Sequence, residues 1–577
     1  MPTRWTAGLL ALSPCGCSGP TAPEAAPPAR LEFVDVAAAA GIDLTVVCGD
    51  PRRWYIPESN GSGAAWLDHD GDGDVDLFVG NGARMSYHDD GARLELVHDA
   101  PSRLYANLGG MRFADATAAA GIDCTAWVNA VTVADVEGDG DPDIYLACFG
   151  PDVFLRNEGG RFVDATDEAG LATEETALWG AGAAFGDADG DGDLDLYVAN
   201  YCLFDPANPP AGGARQLIDG VEIGWGPEAE NGAGYNAGAP DVYFAGDGRG
   251  RFRVATAQAG LVLEKALCSY AVVFSDVDLD GRQDILVAND LQPCNLFHNE
   301  GAGRFAEQGA ERGFALNRSG AATAAMGLFV EDIDFDGDFD VYRTNFDLET
   351  NSLHVNDGRG YFVDQAEAFG LAGPSADRLG WGGGFFDADC DGDYDLLVAN
   401  GHVLPQAEDV GMHPFLQRSQ LFEAVPHERL KVAWREVADP GSGLEPLRSS
   451  RGVAFADADA DGDLDALVVD LDRPPRLLEN RSARAGEWIR VRLVGRGAAR
   501  DALGARVRVL AGGRSWSREV RRTNGLYSSH EPTLHFGLGE VDGVDLVEVR
   551  WPGGGESLVE RPPLGELLVI HEDREPR

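Results

Sequence analysis

The sequence predicts an all-β protein: a seven-bladed β-propeller over residues 31–480, followed by a small β-sandwich-like domain over 481–577. Three observations carry this reading. An acidic loop recurs seven times, each loop sits inside a four-strand unit, and the unit is offset from the chain ends so that the ring closes on itself.

The first loop reads Asp68-His69-Asp70-Gly71-Asp72-Gly73-Asp74-Val75-Asp76, and the second carries Asp135, Glu137, Asp139, Asp141 and Asp143. The third carries Asp187, Asp189, Asp191, Asp193 and Asp195, and the fourth Asp276, Asp278, Asp280, Arg282 and Asp284. Loop five holds Asp332, Asp334, Asp336, Asp338 and Asp340, and loop six Asp387, Asp389, Asp391, Asp393 and Asp395. Loop seven holds Asp457, Asp459, Asp461, Asp463 and Asp465.

A short apolar run precedes each loop, with a small residue five positions ahead: Gly63, Ala130, Gly182, Ala271, Gly327, Gly382 and Gly452. Small residues at that point fit innermost strands crowded around a central axis. A second strand follows the loop, as in Leu77-Phe78-Val79, and a third ends in Asn, as in Leu296-Phe297-His298-Asn299. A fourth element reads Phe162-Val163-Asp164 and ends near Gly170-Leu171. Phe33-Val34-Asp35 is a fourth strand with no unit before it, and the seventh unit stops at Leu477–Asn480. The N-terminal strand therefore completes the last blade and leaves no open edge.

Carboxylates at positions 1, 3, 5 and 9 with Gly at position 6 surround one point, and position 7 offers its backbone carbonyl. Oxygen-only ligands favour a hard cation, and several carboxylates favour Ca²⁺, up to seven ions in all. An EF-hand needs Glu at position 12, where this chain has Val79, Leu146, Val198, Val287, Arg343, Val398 and Val468. Glu137, Arg282 at position 7 and Cys390 at position 4 are departures the pattern tolerates. The loops hold 34 of the 96 acidic residues of a chain whose net charge is −50. Solvated acidic turns are the plainer alternative.

Residues 1–19 read as an export signal, and residues 20–30 as a Pro/Ala-rich linker. Cys15 and Cys17 stand where a lipoprotein is lipidated, each with an imperfect fit because of Pro14, so lipid anchoring and simple secretion both stay open. No later stretch approaches 18 apolar residues, so no membrane span is expected, and the protein is placed outside the cytoplasm. The other seven cysteines contain no CxxC pair, which argues against zinc and leaves one or two disulfides open. The strong negative charge argues against nucleic acid.

Six positions before each loop stand Ser62, Asn129, Ala181, Tyr270, Met326, Trp381 and Arg451. These are expected to cluster near one mouth of the channel, with Tyr270, Trp381 and Arg451 placed to stack on and hydrogen-bond a sugar-like ligand. Asn129 and Met326 join them, and His402 in Asn400-Gly401-His402 is a further candidate, weighed against a packed structural histidine. The insertions Met85–Ala100 and Tyr201–Asp241 are candidate lips. With no GxSxG, P-loop or HExxH, the chain reads as a binding or adhesion module for an extracellular glycan or protein, not an enzyme. The alternative is a polysaccharide lyase or hydrolase on a calcium-stabilised propeller.

These loops, with their Asn-ended third and Phe-x-Asp fourth strands, resemble FG-GAP/VCBS repeats, the calcium-loop blades also found in integrin α-subunit propellers. Ala325-Met326-Gly327, Thr344-Asn345-Phe346, Asn400-Gly401-His402-Val403 and Ser450-Arg451-Gly452 narrow the resemblance to the cartilage-acidic-protein-like family. The tail resembles that family's ASPIC/UnbV domain in Arg500-Asp501-Ala502-Leu503-Gly504, Asn524-Gly525-Leu526-Tyr527-Ser528-Ser529 and Leu534-His535-Phe536-Gly537. Ala499 stands where the family has Asn. The resemblance implies an extracellular calcium-binding propeller with a small β domain. Residues 481–577 alternate apolar residues with arginine and hold 16 bases and 14 acids. Such a domain either docks on the acidic ring or meets a separate partner.

Overall fold

The computed structural model describes residues 31–89, 93–172, 178–207, 215–218, 221–225 and 237–572. The export signal, the linker, Cys15 and Cys17 lie outside them.

Seven four-stranded antiparallel sheets succeed one another along the chain. Blade two shows the unit: Val128–Ala134, Asp143–Cys148, Val153–Asn157 and Phe162–Asp164, each strand paired with the next. Asp143–Cys148 is buried at every position, because a blade is covered on both faces by its neighbours. That is why these strands read as continuous apolar runs without the alternation of a half-exposed sheet.

The first strands, from Ala64–Leu67 in blade one to Ser450–Ala456 in blade seven, neighbour one another in order, and the seventh neighbours the first. The cores lie between blades. Phe78, Leu104, Val131, Val133 and Leu146 fill the space between blades one and two, and Trp66, Leu77, Ala454 and Leu467 the space between seven and one. The small residues before the loops have their expected reason: a Cβ on Gly182 would lie 2.2 Å from the Tyr270 carbonyl oxygen of the next blade.

The ring closes through the N-terminal strand. Phe33 pairs with Asn480, Val34 with Glu479 and Asp35 with Leu478, so strands far apart in sequence complete blade seven. Of the two insertions, Met85–Ala100 contributes most of a hairpin, Arg84–His88 against Arg93–Val97. Within Tyr201–Asp241, Arg215–Ile218 pairs with Val221–Trp225.

The C-terminal domain has two sheets. One orders Leu534–Gly539, Glu487–Val494 and Leu567–His571, and the other Arg514–Glu519, Arg506–Ala511, Val544–Arg550 and Glu556–Glu560. Of the two alternatives for this domain, the structure takes docking. It sits over the acidic loops and sends the segment 523–529 into the propeller axis. There Val131 N–H donates to the Tyr527 carbonyl at 2.8 Å and Ser529 N–H to that of Ala64 at 3.0 Å. Val330 N–H donates to Asn524 Oδ1 at 2.7 Å. The Tyr527 ring stands 6.4 Å from both Tyr270 and Trp381. Blades one, two, four, five and six thus share one plug.

Two outcomes are expected. Removing residues 31–42 uncovers the edge at Arg476–Asn480 and loses the burial of Leu31, Phe33 and Ile42, about 5 kcal/mol or more, read in a denaturant melt. A trimmed protein that stays monomeric with an unchanged melt contradicts closure. Gly63→Val places a side chain where Cβ alone would meet the Tyr527 carbonyl oxygen at 1.7 Å. Expelling the plug speeds proteolysis near residues 481–486 by roughly tenfold or more; an unchanged cleavage rate contradicts the plugged axis.

Candidate metal centres

Each acidic loop is a turn templated by its own amides. In loop one, Gly71 and Gly73 N–H groups donate to the two oxygens of Asp68 at 2.8 and 3.1 Å. In loop seven, Asp461 and Gly462 do the same for Asp457, both at 3.0 Å. In all seven loops the position-5 carboxylate accepts the N–H of position 7, at 2.9–3.2 Å. Position 6 has φ between +90° and +105° in every loop, which glycine alone adopts cheaply. Position 4 is left-handed too, and in four loops it is not glycine: Leu279, Phe335, Cys390 and Ala460 have φ of +59° to +62°. Each costs of order 1–2 kcal/mol.

The ninth residue works as a clasp. Its Oδ1 accepts a backbone N–H from the third strand in all seven blades, at 2.7–3.0 Å. In six blades its other oxygen accepts the N–H of position 2. In five of the seven blades an Asn that ends the third strand then ties its loop to the loop before it. Asn157 Nδ2 donates to the carbonyl of His69 at 2.9 Å, and Asn299, Asn356 and Asn480 reach Ala188, Val277 and Ala388 in the same way. Asn107 reaches back across the closure to Ala458 at 3.0 Å. Sequence reasoning noted these asparagines only as a strand ending, although their recurrence at one spacing was visible.

Carboxylates converge in these turns. Single oxygens of Asp68, Asp70 and Asp72 lie within 4.8 Å of one another, as do those of Asp187, Asp189 and Asp191 and of Asp276, Asp278 and Asp280. Burial, the largest cause, pushes the first-position carboxyls up: Asp187 and Asp457 to about 6, Asp135 and Asp276 to about 7 and Asp332 to about 8. Among the described residues seven buried carboxylate oxygens accept no hydrogen bond; one is Glu331 Oε1, outside the loops, and six lie in them: Glu137 Oε2, Asp276 Oδ1, Asp278 Oδ1, Asp284 Oδ2, Asp334 Oδ1 and Asp338 Oδ1. All six belong to loops two, four and five. Bare, buried carboxylate oxygens fit a hard cation. At loops one and four a histidine nitrogen joins the carboxylates, His69 beside Asp70 and Asp76 and His298 beside Asp278 and Asp284, a departure from the oxygen-only set expected from the sequence.

In loops two, six and seven the position-7 side chain is engaged elsewhere, as expected if only that residue's carbonyl faces the loop centre, whereas in loop five Asp338 Oδ1 is one of the bare oxygens. Asp141 accepts from Gly159 N–H, Asp393 from Arg514 and Asp463 from Arg484. Loop four is the unusual one. Arg282 folds back onto Asp280 and donates to the Asn299 carbonyl, while His298 Nδ1 lies 3.1 Å from Asp284 and 3.4 Å from Asp278. His298 is held above its ordinary value by its hydrogen bond to Asp284.

The channel candidates converge but meet protein. Asn129, Tyr270, Met326, Trp381 and Arg451 are at most 3% exposed. The Arg451 guanidinium lies 4.0 Å over the Trp381 ring, and Tyr270 stands 6.0 Å from Trp381. Asn129 Nδ2 donates to the Gly180 carbonyl at 3.0 Å. The mouth expected to be open is filled by Tyr527, a residue 76 positions beyond Arg451 in the sequence. His402 is fully buried too. Its Nδ1 accepts the Leu404 N–H at 3.0 Å, its ring meets Phe346 edge-on, and burial lowers its pKa to about 4. This is the packed histidine of the plainer reading.

The domain interface lies on the loops themselves. Trp516 Nε1 and Arg514 donate to the Gly392 carbonyl, both at 2.8 Å, Arg506 donates to that of Gly337, and His535 Nε2 lies 3.0 Å from that of Gly462. Arg490 joins Asp457 to Glu531, and Arg518 pairs with Glu331 at 2.7 Å.

Comparison with known proteins agrees with this architecture. Residues 68–146, 138–198 and 276–343 match the family described as FG-GAP-like repeat, and residues 495–577 match ASPIC and UnbV. Cartilage acidic protein 1 of Homo sapiens is 25% identical over 540 residues, 89% of this chain and 71% of the relative. Its Mus musculus counterpart is 25% identical over 452 residues, and there the match spans 61% of the relative's length. Among solved structures, an Agrocybe aegerita lectin specific for non-reducing terminal N-acetylglucosamine is 16% identical, with a TM-score of 0.34, covering 65% of this chain and 79% of the lectin. At that level of superposition the likeness carries no functional weight. The chain is an all-β protein of FG-GAP-like repeats with a C-terminal ASPIC and UnbV domain, similar over most of its length to cartilage acidic protein 1.

Proposed function

We propose that this protein is an exported calcium-binding propeller that acts as a binding module for an extracellular ligand, a glycan or another protein. The observation that supports calcium is the set of six buried carboxylate oxygens in loops two, four and five that accept no hydrogen bond. Left bare, each costs a desolvation penalty of about 1–3 kcal/mol or more. The carboxylates of positions 1, 3, 5 and 9 and the carbonyl of position 7 are the groups that would hold the ion in each loop. Bound there, the ion supplies positive charge and oxygen coordination, which offset the repulsion among carboxylates and the strain at Leu279, Phe335, Cys390 and Ala460.

Because segment 523–529 fills the axis, a ligand is expected to meet the outer surface. One cleft of about 740 Å³ lies between loop five and the C-terminal sheet, with Phe335, Asp336 and Asp357 on one wall and Arg508, Arg550 and Glu556 on the other. Mixed charge beside an apolar ring suits a polar, multiply hydroxylated or charged ligand. The reading of residues 1–19 as an export signal and the extracellular role that the sequence resemblance implies support the compartment.

Metal content and melting test the reading. At roughly millimolar calcium and the Kd common to extracellular modules, each site adds about 0.4–1.4 kcal/mol, so chelation lowers the melting temperature and calcium restores it better than magnesium. Replacing Asp187 and Asp189 with Ala removes about one bound ion by elemental analysis. A protein free of metal and indifferent to chelator overturns the assignment and leaves solvated turns.

A pH dependence follows with a defined sign. Carboxyls raised on folding stabilise the fold below their unfolded value near 4 and lose that contribution as pH rises through about 6–8. Chelated protein should therefore melt progressively lower from pH 5 to pH 8, while the gap between calcium-loaded and chelated protein widens. A constant gap across that range counts against the loops as the site of binding.

A further inference from the structure

Among the described residues four arginines are buried to below 2% exposure: Arg53, Arg343, Arg451 and Arg476. A guanidinium taken out of water costs several kcal/mol unless its charge and its five N–H groups are met. Three of them have most of their N–H groups met, with Nε of Arg53 the exception. Arg476 pairs with Asp470 and reaches Ser450 and the Gly443 carbonyl. Arg53 pairs with Asp472 and donates to the carbonyls of Cys48 and Glu58. Arg451 has no carboxylate but donates to the carbonyls of Ser59, Gly401, Ser450 and His402 and to Ser449 Oγ.

Arg343 differs. Its Nη1 donates to the Phe314 carbonyl at 3.1 Å, while Nε and Nη2 find no acceptor. Arg343 ends the second strand of blade five directly opposite Ser352, and His354 follows two residues on, on the same face of the third strand. Ser352 Oγ is also without a partner, while the His354 ring faces the Gly313 backbone, and both residues are at most 1% exposed. Phe314, on the connection from blade four, flanks the group. Its ring is 5.5 Å from that of His354 and 5.9 Å from the guanidinium carbon. Glu349 is the acid whose carboxylate feels this guanidinium, yet it accepts the Ala324 N–H and forms no ion pair with Arg343.

One buried cation thus stands with two unpaired nitrogens of its own and a hydroxyl beside them, and among the described residues no counter-charge is in contact. We propose that this buried polar cluster beside the blade four–five connection binds a small monovalent anion, chloride in an extracellular medium. Chloride accepts N–H and O–H donors from several directions and supplies the missing negative charge. Water would satisfy donors but leave the charge uncompensated.

Crystals of the full chain grown in sodium bromide test this. An anomalous peak is expected within hydrogen-bonding reach of Arg343 Nε and Nη2 and Ser352 Oγ. At fixed calcium and ionic strength, the protein should melt roughly 1–3 °C higher in chloride than in gluconate, which is too large for the site. Arg343→Met should lose both the peak and the difference, and in gluconate it should melt no lower than the parent. If Arg343→Met fails to fold, Ser352→Ala keeps the charge, removes one donor and should show a smaller chloride dependence. No bromide at Arg343, or equal melting of the parent in both salts, overturns the proposal. Calcium content reads out separately, so either result leaves the reading of the acidic loops untouched.

Discussion

Like-charge repulsion on one rim is the constraint the rest of this molecule answers to. Seven turns gather 34 carboxylates at one end of the blades, and every first strand reaches its partner only through such a turn. Backbone amides are the first answer, since the position-1, -5 and -9 carboxylates accept N–H groups from their own loop or strand. The second is between blades. Asn107, Asn157, Asn299, Asn356 and Asn480 each bind the loop before their own, so five of the seven loops lean on a neighbour. Blades three and six place Gly246 and Ala424 at the equivalent third-strand position, and there the side-chain tie is absent.

The C-terminal domain is the third answer. Near neutral itself, it turns arginines toward the rim of a chain whose overall charge is −50. Arg484 reaches Asp461 and Asp463, Arg490 reaches Asp457, and Arg514 reaches Asp393. Such pairs are worth little when exposed, but Arg490 and Arg518 are largely buried and add bidentate or carbonyl contacts. Shape matters as much as charge. Trp488 lies so close over loop seven that a Cβ on Gly462 would fall 2.0 Å from its ring, so the glycine that shapes the turn also admits the neighbouring domain.

What was legible in the sequence is what repeats locally. The loops, the small residues before them and the offset of the first strand all follow from spacing, and Val34 does pair with Glu479. The convergence of Tyr270, Trp381 and Arg451 was legible for the same reason. What fills the space between them was not. Tyr527 comes from a different domain, and no period links it to the blades. His402 shows the same limit at smaller scale: its place at a strand end was readable, whereas the Leu404 N–H that occupies its Nδ1 depends on the path of the following loop. Arg343 stood out only as a residue that excluded an EF-hand glutamate, and its isolation became visible once Ser352 and His354 were placed beside it.

The pairing of Phe33 with Asn480 sets an order of assembly. The first strand made waits for almost the whole chain, and contacts of such separation are slow to form because loop entropy is lost before the contacts reward it. Tyr527 comes later still, so the axis is sealed after the ring that surrounds it has taken shape. Until then the outer edge of blade seven and the small-residue lining of the axis are both uncovered. A nascent chain therefore passes through its most aggregation-prone stage late, when most of the ring is already built.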